Sequence, residues 1–129
     1  MPVAAKLNTV VVDDQLSIRS LVRTGLNNIG ISQVREFGSA AEALASLKAQ
    51  TANIVISDFN MPEIDGLAFL RSLRADQTFK ATAFILLTGR ADKDLVQRAV
   101  QFGANNYLVK PFTVASMKEK IEQVVGVLT

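Results

Sequence analysis

Residues able to do chemistry stand at the ends of several short apolar stretches of this sequence. They are Asp13, Asp14, Asp58, Asn60, Thr88 and Lys110. Carboxylates, a hydroxyl and an ammonium group brought together would form a pocket for a divalent cation and a phosphoryl group. Because the chain contains no histidine and no cysteine, a covalent step has to use a carboxylate or a hydroxyl oxygen. Asp58 is the strongest candidate, since a carboxylate can act as a nucleophile and become an acyl phosphate.

The three aspartates also have ordinary structural explanations. Asp13 and Asp14 are of the type that caps helices, and Asp58 precedes Pro62 and Gly66, where a turn aspartate is common. Two carboxylates about 5 Å apart repel by roughly 3 kcal/mol at an effective dielectric of about 20. A hard cation such as Mg²⁺ offsets that repulsion. An adjacent pair with a third aspartate at another strand end therefore favours a metal site.

Thr88 and Lys110 are weak indicators when each is considered alone. A threonine after a strand is commonly a turn or cap residue, and a single lysine usually lies on the surface. Lys110 follows the apolar stretch YLV, which predicts an inward ion pair with the carboxylates. The specific signal is the order of these residues, each at a strand end.

Short β-type stretches alternate with segments of helical periodicity. Strands are predicted at 9–12, 34–37, 54–57, 83–87 and 107–109, and the first, third and fourth are continuous apolar stretches. Such stretches are typical of parallel strands covered on both faces. Five strand–helix repeats predict a single-domain α/β fold, a doubly wound five-stranded parallel sheet of the flavodoxin-like type. Ligands bind such sheets beyond the carboxyl ends of the strands, at the switch point of strand order.

Apolar residues at helical spacing predict the helices. The first helix is marked by Ile18, Leu21, Val22, Gly25, Leu26 and Ile29, the third by Leu67, Leu70 and Leu73, the fourth by Leu95, Val96, Ala99 and Val100, and the fifth by Met117, Ile121, Val124, Val125 and Leu128. Ser39 and Glu42 have capping-box spacing and predict the start of the second helix, which carries Leu44 and Leu47. The last helix is expected to run almost to Thr129.

Size and composition restrict the class of protein. A chain of 129 residues corresponds to one domain. The net charge of +2, from scattered lysines and arginines, does not favour a nucleic-acid-binding protein. No apolar stretch approaches the ~20 residues needed to span a bilayer, and MPVAAKLN lacks the apolar core of a secretory signal. The absence of cysteine is compatible with a cytoplasmic location.

The motifs together resemble a known family. VVDD, ISDFNMPEIDG, LLTG and YLVKPFT are similar to the motifs of bacterial two-component response-regulator receiver domains, particularly the CheY-like chemotaxis type. The resemblance covers nearly the whole chain and implies one receiver domain over 1–129, with a core of about 8–128. It further implies that Asp58 accepts a phosphoryl group from a histidine kinase. Such a protein is a phosphoacceptor that promotes its own phosphorylation and dephosphorylation, without turnover of external small molecules.

The resemblance also implies roles for the other residues of the site. The implied Mg²⁺ ligands are the carboxylates of Asp13, Asp14 and Asp58 and the main-chain carbonyl of Asn60. Thr88 would hydrogen-bond a phosphoryl oxygen, and Lys110 would form an ion pair with the phosphoryl group. The Lys110–Pro111 peptide bond is implied to be cis, which proline makes accessible at about 0.5–1 kcal/mol.

A conformational switch is implied as well. Phosphorylation would draw Thr88 towards Asp58, and Tyr107 would rotate into the vacated space. Tyr107 is alternatively a half-buried residue of an edge strand. The altered surface would comprise the fourth helix, the fifth strand and the fifth helix. Its implied partners are the flagellar motor switch or another output protein, with a phosphatase also possible and no nucleic-acid or membrane partner.

Two sites depart from the enteric chemotaxis sequences. Arg90 differs in charge and length from the glutamate of those proteins. The resemblance implies that Arg90 and Asn60 occupy positions that tune phosphoryl lifetime. Gln15-Leu16-Ser17 also differs. These departures leave the phosphoacceptor interpretation unchanged, and they affect the expectations for motor binding, kinase identity and dephosphorylation rate.

Three other functions compete with the switch. A phosphate sink or shuttle would use the same site without an output partner. A flavodoxin-like cofactor carrier requires an anion-binding loop after the first strand, where Asp13 and Asp14 would repel a phosphate. A metal-dependent phosphohydrolase would most naturally have an acid/base aspartate at the position of Asn60. The phosphorylated switch therefore remains the leading hypothesis.

Overall fold

The computed structural model describes residues 2–89 and 93–129. Its strands are Asn8–Val12 (β1), Gln33–Phe37 (β2), Ile54–Asp58 (β3), Ala83–Thr88 (β4) and Asn106–Val109 (β5). Its α-helices are Leu16–Ile29 (α1), Ala40–Ala49 (α2), Gly66–Ala75 (α3), Lys93–Gln101 (α4) and Val114–Val125 (α5). Short 3-10 helices span Ala4–Lys6 and Gln77–Phe79. Within these described ranges, no helix is both long and apolar enough to cross a membrane.

All strands pair in parallel in one sheet of order β2-β1-β3-β4-β5. The chain passes from β1 outwards to β2 and returns to β3 on the other side of β1. The carboxyl ends of β1 and β3 therefore form the switch point, where ligands bind in sheets of this kind. The predicted α/β fold is confirmed, and each predicted strand is present with one additional residue.

The core consists of two apolar layers, one on each face of the sheet. Val10 and Val12 of β1 belong to the layer that packs against α2, α3 and α4. Val11 belongs to the layer that packs against α1 and α5. All three valines are fully buried. Because helices cover both faces, the central strands are apolar without alternation, as their sequences predicted.

Two residues assigned to apolar helix stripes are exposed. Leu21 and Val100 are each 58% exposed, although their spacing placed them with the buried residues. Val22 and Leu26 supply the deeply buried contacts of α1, and Leu95 and Ala99 those of α4. The contact of each helix with the sheet is thus narrower than its apolar stripe. The apolar spacing therefore predicted both helices, but it does not specify which side chains of the stripe are buried.

The last helix ends at Val125, earlier than the sequence predicted. Gly126 has a positive φ of 94°, and its N–H bonds the carbonyl of Glu122 at 2.9 Å. The chain then turns, and the N–H of Thr129 bonds the carbonyl of Pro2 at 3.0 Å. Glycine permits this positive-φ conformation, and the final residues then pair with the N-terminal segment. Leu128 therefore lies outside the helix that it was predicted to mark.

Candidate functional site

Three carboxylates converge at the switch point. Asp13 follows β1, Asp58 is the last residue of β3, and Asp14 stands beside Asp13. One carboxylate oxygen from each aspartate lies within 4.8 Å of the other two; these three carboxylates are the acidic cluster. Asp13 is fully buried, Asp58 is 5% exposed and Asp14 is exposed. The cluster is therefore open to solvent on the side of Asp14.

Lys110 supplies a positive charge to the acidic cluster. Its Nζ lies 3.0 Å from Asp58 Oδ1 and 3.4 Å from Asp13 Oδ2, the inward ion pair that the sequence predicted. Its main-chain N–H bonds the carbonyl of Thr88 at 2.7 Å, which places it beside the end of β4. The Lys110–Pro111 peptide bond is cis. One ammonium cannot balance three ionised carboxylates, and the remaining charge and the all-oxygen donor set fit a hard divalent cation such as Mg²⁺.

The protonation of Asp58 is affected by its surroundings. Burial is the largest effect and raises the pKa of Asp58, and the charge of Asp13 raises it further. The hydrogen bond and charge of Lys110 oppose this rise without cancelling it. Burial alone would lower the pKa of Lys110, but its contacts with Asp58 and Asp13 raise that pKa overall. The surroundings thus favour the protonated form of Lys110 and disfavour the ionised form of Asp58.

This raised pKa predicts a pH-dependent gain in stability for Asp58→Asn. The folded state disfavours ionised Asp58 relative to the unfolded chain, whose aspartate titrates near 3.8. Protonated Asp58 therefore contributes stability that is fully present below the pKa of the unfolded chain. This contribution to the free energy of unfolding is lost as the pH rises through the higher pKa of the folded state. We expect metal-free Asp58→Asn to be more stable than the native chain at pH 7. Urea unfolding between pH 4 and pH 8 should show this advantage growing with pH, and a pH-independent difference would contradict it.

Asp13 is held in place through its main chain and its side chain. Its N–H bonds the carbonyl of Phe37 at 3.1 Å, and its Oδ1 accepts the N–H of Gln15 at 2.9 Å. Its carbonyl accepts a hydrogen bond from Arg19 Nη1 at 2.6 Å. No role for Arg19 was predicted from the sequence. Arg19 lies three residues before the buried Val22, so the two side chains share one face of the helix. Because an arginine on a buried face needs a polar partner, this spacing could have predicted a contact for Arg19.

Gly66 fixes the approach of α3 to the end of β3. Its N–H bonds the carbonyl of Phe59 at 2.9 Å. A Cβ atom at this position would lie 2.4 Å from the carbonyl oxygen of Asp58. Asp65 caps the helix by accepting the N–H of Ala68 at 2.8 Å. The sequence marked this glycine only as a breaker, and the contact that requires it was not predicted.

A cleft of about 480 Å³ opens next to Asp58 and is lined by Phe59, Asn60, Thr88 and residues of α4 that include Arg98. Thr88, the last residue of β4, is 3% exposed, whereas Asn60 is exposed. The structure thus brings both predicted residues to the edge of the sheet that carries Asp58. Arg90 was predicted to contribute to this region and lies outside the described residues.

Tyr107 on β5 is half-buried, and it packs against the core layer on the α2, α3 and α4 face. Lys120 Nζ of α5 lies 4.3 Å from the centre of its ring, a distance at which a cation is attracted to an aromatic face. The ring also borders a surface groove with Lys93, Val96 and Gln97 of α4. Tyr107 therefore lies between α4 and α5, on the surface predicted to change.

The chain matches the response regulator receiver domain family over residues 9–122. It is 44% identical over 128 residues to a Rhizobium etli protein named "Probable chemotaxis protein CheY", with 99% of both chains covered. Chemotaxis protein CheY1 of Helicobacter pylori is 38% identical over 121 residues, covering 93% of this chain and 98% of that relative. The structure of chemotaxis response regulator CheY4 of Vibrio cholerae has a TM-score of 0.85 and 30% identity, with 92% and 98% covered. The chain therefore belongs to the response regulator receiver domain family, and its relatives place it with the CheY type.

Proposed function

We propose that this chain is a response regulator that accepts a phosphoryl group on Asp58 from the phosphohistidine of a histidine kinase. The observation that carries the proposal is the convergence of Asp13, Asp14 and Lys110 around Asp58 at the switch point. Family membership supports it, because receiver domains of this type are signalling proteins rather than classical enzymes. The relatives named for chemotaxis support control of the flagellar motor as the pathway and a cytoplasmic location.

The transfer uses the Asp58 carboxylate as its nucleophile. A carboxylate oxygen attacks phosphorus, the phosphorus–nitrogen bond to the histidine breaks, and its electron pair remains on the imidazole. The Lys110 ammonium is proposed to pair with the phosphoryl oxygens, and its 3.0 Å contact with Asp58 Oδ1 supports this role. In the phosphorylated state, the hydroxyl of Thr88 donates a hydrogen bond to one of the phosphoryl oxygens. The chain is the acceptor in this step, so no turnover of an external small molecule is expected.

The proposed Mg²⁺ ligands are the carboxylates of Asp13, Asp14 and Asp58 and the main-chain carbonyl of Asn60. The three carboxylate oxygens within 4.8 Å of one another are the support for this assignment. A bound Mg²⁺ supplies charge neutralisation for the phosphoryl oxygens. Asn60 and Arg90 are proposed to tune how long the phosphoryl group persists.

Phosphorylation is proposed to change the surface formed by α4, β5 and α5. A phosphoryl group adds nearly two negative charges at Asp58, which draws Thr88 inwards and allows Tyr107 to rotate. Tyr107 lies between α4 and α5, so its rotation alters both helices' shared surface. The proposed partner is the flagellar motor switch or another output protein, and a dedicated phosphatase is a further candidate.

Labelling with a small acyl-phosphate donor tests the acceptor function. We expect Mg²⁺-dependent labelling that a chelator removes, because the acidic cluster repels the donor until its charge is neutralised. Binding to a motor-switch peptide, with and without an acyl-phosphate mimic, then tests the output. Stronger binding with the mimic supports the switch. Labelling without any change in binding would instead indicate a phosphate sink or shuttle.

Lys110→Ala is expected to separate phosphorylation from output. The variant should still be labelled, but the phosphorylated form should lose about tenfold or more in affinity for the output partner, because no cation couples the phosphoryl group to the end of β5. The matched control is Lys48→Ala, which removes an exposed lysine of α2 far along the chain from the site. Calorimetric binding to the partner, with the mimic present, measures the effect. Native affinity in labelled Lys110→Ala would contradict the coupling role.

A further inference from the structure

Arg19 of α1 is bonded to the main chain of a predicted metal ligand. Its Nη1 donates a hydrogen bond of 2.6 Å to the carbonyl of Asp13, and its side chain is only 17% exposed. A hydrogen bond from a charged donor is stronger than one between neutral groups, especially away from water. This contact therefore restrains the peptide group that carries the Asp13 carboxylate.

Glu36 of β2 holds the same guanidinium from the other side. Its Oε1 lies 3.6 Å from Arg19 Nε, and its Oε2 lies 3.1 Å from Arg23 Nε. The first distance is that of an ion pair rather than of a hydrogen bond. The Glu36 side chain is 20% exposed, so solvent screens the pair only in part. Glu36 thus links two arginines of α1 to the strand next to β1.

Gly38 leaves the space in which this guanidinium lies. A Cβ atom on Gly38 would approach Arg19 Nη1 to 3.3 Å, closer than an ordinary contact. The preceding residue, Phe37, accepts the N–H of Asp13 at 3.1 Å. Both main-chain polar groups of Asp13 are therefore satisfied, one by the end of β2 and the other by Arg19.

We propose that Arg19 is a positioning residue for Mg²⁺ binding, with Glu36 orienting its guanidinium. The inference rests on the proposed phosphoacceptor function and deepens the description of its metal site. Arg19 acts through the carbonyl of Asp13, so it holds the ligand in place without entering the donor set. Like charges in the acidic cluster push Asp13 away from Asp14 and Asp58, and the bond from Arg19 opposes that displacement. Binding a cation then requires less rearrangement, which is the energetic advantage of preorganisation.

Magnesium titration of four variants, with no phosphodonor present, tests this role. Calorimetry should show the Mg²⁺ dissociation constant of Arg19→Gln increased about tenfold, the lower end of the effect of removing a group that orients a metal ligand. Arg19→Lys keeps a cationic donor and should remain within about threefold of the native value. Arg23→Gln is the matched control, because Arg23 pairs with the same Glu36. It should bind Mg²⁺ like the native chain, whereas Glu36→Gln should bind it less tightly.

Thermal unfolding of the metal-free variants separates positioning from a general loss of stability. A lower unfolding temperature with an unchanged Mg²⁺ dissociation constant in Arg19→Gln would overturn the inference and leave the proposed function intact. Failure of the native chain to bind Mg²⁺ would instead remove the metal site from the proposed function. If Arg19→Gln does not fold, Glu36→Gln and Arg23→Gln decide the matter. If Glu36→Gln binds Mg²⁺ less tightly than the native chain and Arg23→Gln does not, the inference is supported. If both variants bind Mg²⁺ like the native chain, it is contradicted.

Discussion

Asp58→Asn is expected to lower the initial rate of phosphoryl labelling by roughly 100-fold or more, to background. An amide is a far weaker nucleophile than a carboxylate, so removing the nucleophile removes the covalent step itself. Asp13 is a poor substitute because it is fully buried, and its two oxygens already contact Gln15 and Lys110. Incorporation of radiolabel from a small acyl phosphate, with Mg²⁺ present, measures the rate.

Asp65→Asn is the matched control for this substitution. Asp65 lies in the same loop and caps α3 by accepting the N–H of Ala68, and asparagine caps a helix as well as aspartate does. Its labelling rate should stay within about twofold of the native rate, because the change in charge occurs outside the acidic cluster. Native labelling of Asp58→Asn, retained under Mg²⁺ and lost with chelator, would place the acceptor on another residue and contradict the proposal.

The part of the site formed by the strand ends could be predicted from the sequence. In a parallel sheet the carboxyl ends of all strands lie along one edge, so residues distant in sequence are brought together once the strands are identified. Asp13, Asp58 and Lys110 could be placed near one another by that reasoning, and their contacts confirm it. Apolar stretches are a strong signal here because both faces of the sheet are covered.

Contacts that depend on distances between elements were beyond the sequence pattern. The periodicity of α1 indicates which face of the helix is buried, but not that Arg19 reaches the carbonyl of Asp13. It also placed Leu21 in the apolar stripe, although the helix packs too narrowly against its neighbours to cover that side chain. A periodic pattern specifies a direction around the helix axis, whereas these outcomes depend on how helix and sheet are docked.

Gly66→Ala is expected to destabilise the fold by about 3 kcal/mol, an effect of the size seen when added atoms have no room in a packed region. The new Cβ would lie 2.4 Å from the carbonyl oxygen of Asp58 and 2.9 Å from the Cα of Phe59. Both are main-chain atoms, so they cannot move aside as the end of a flexible side chain can. Alanine favours a helix over glycine by about 1 kcal/mol, which is too little to offset this clash. Urea unfolding at pH 7 measures the loss.

Gly89→Ala provides the matched control, because a Cβ atom there meets no heavy atom of the described residues within 4 Å. Its free energy of unfolding should change by no more than about 0.5 kcal/mol. The clash in Gly66→Ala involves the main chain of Asp58, so any relief displaces the proposed nucleophile relative to Lys110. Gly66→Ala should therefore also be labelled more slowly under conditions in which it is fully folded. Native stability of Gly66→Ala would show that α3 can shift away from β3, and the close approach would then not be a requirement of the site.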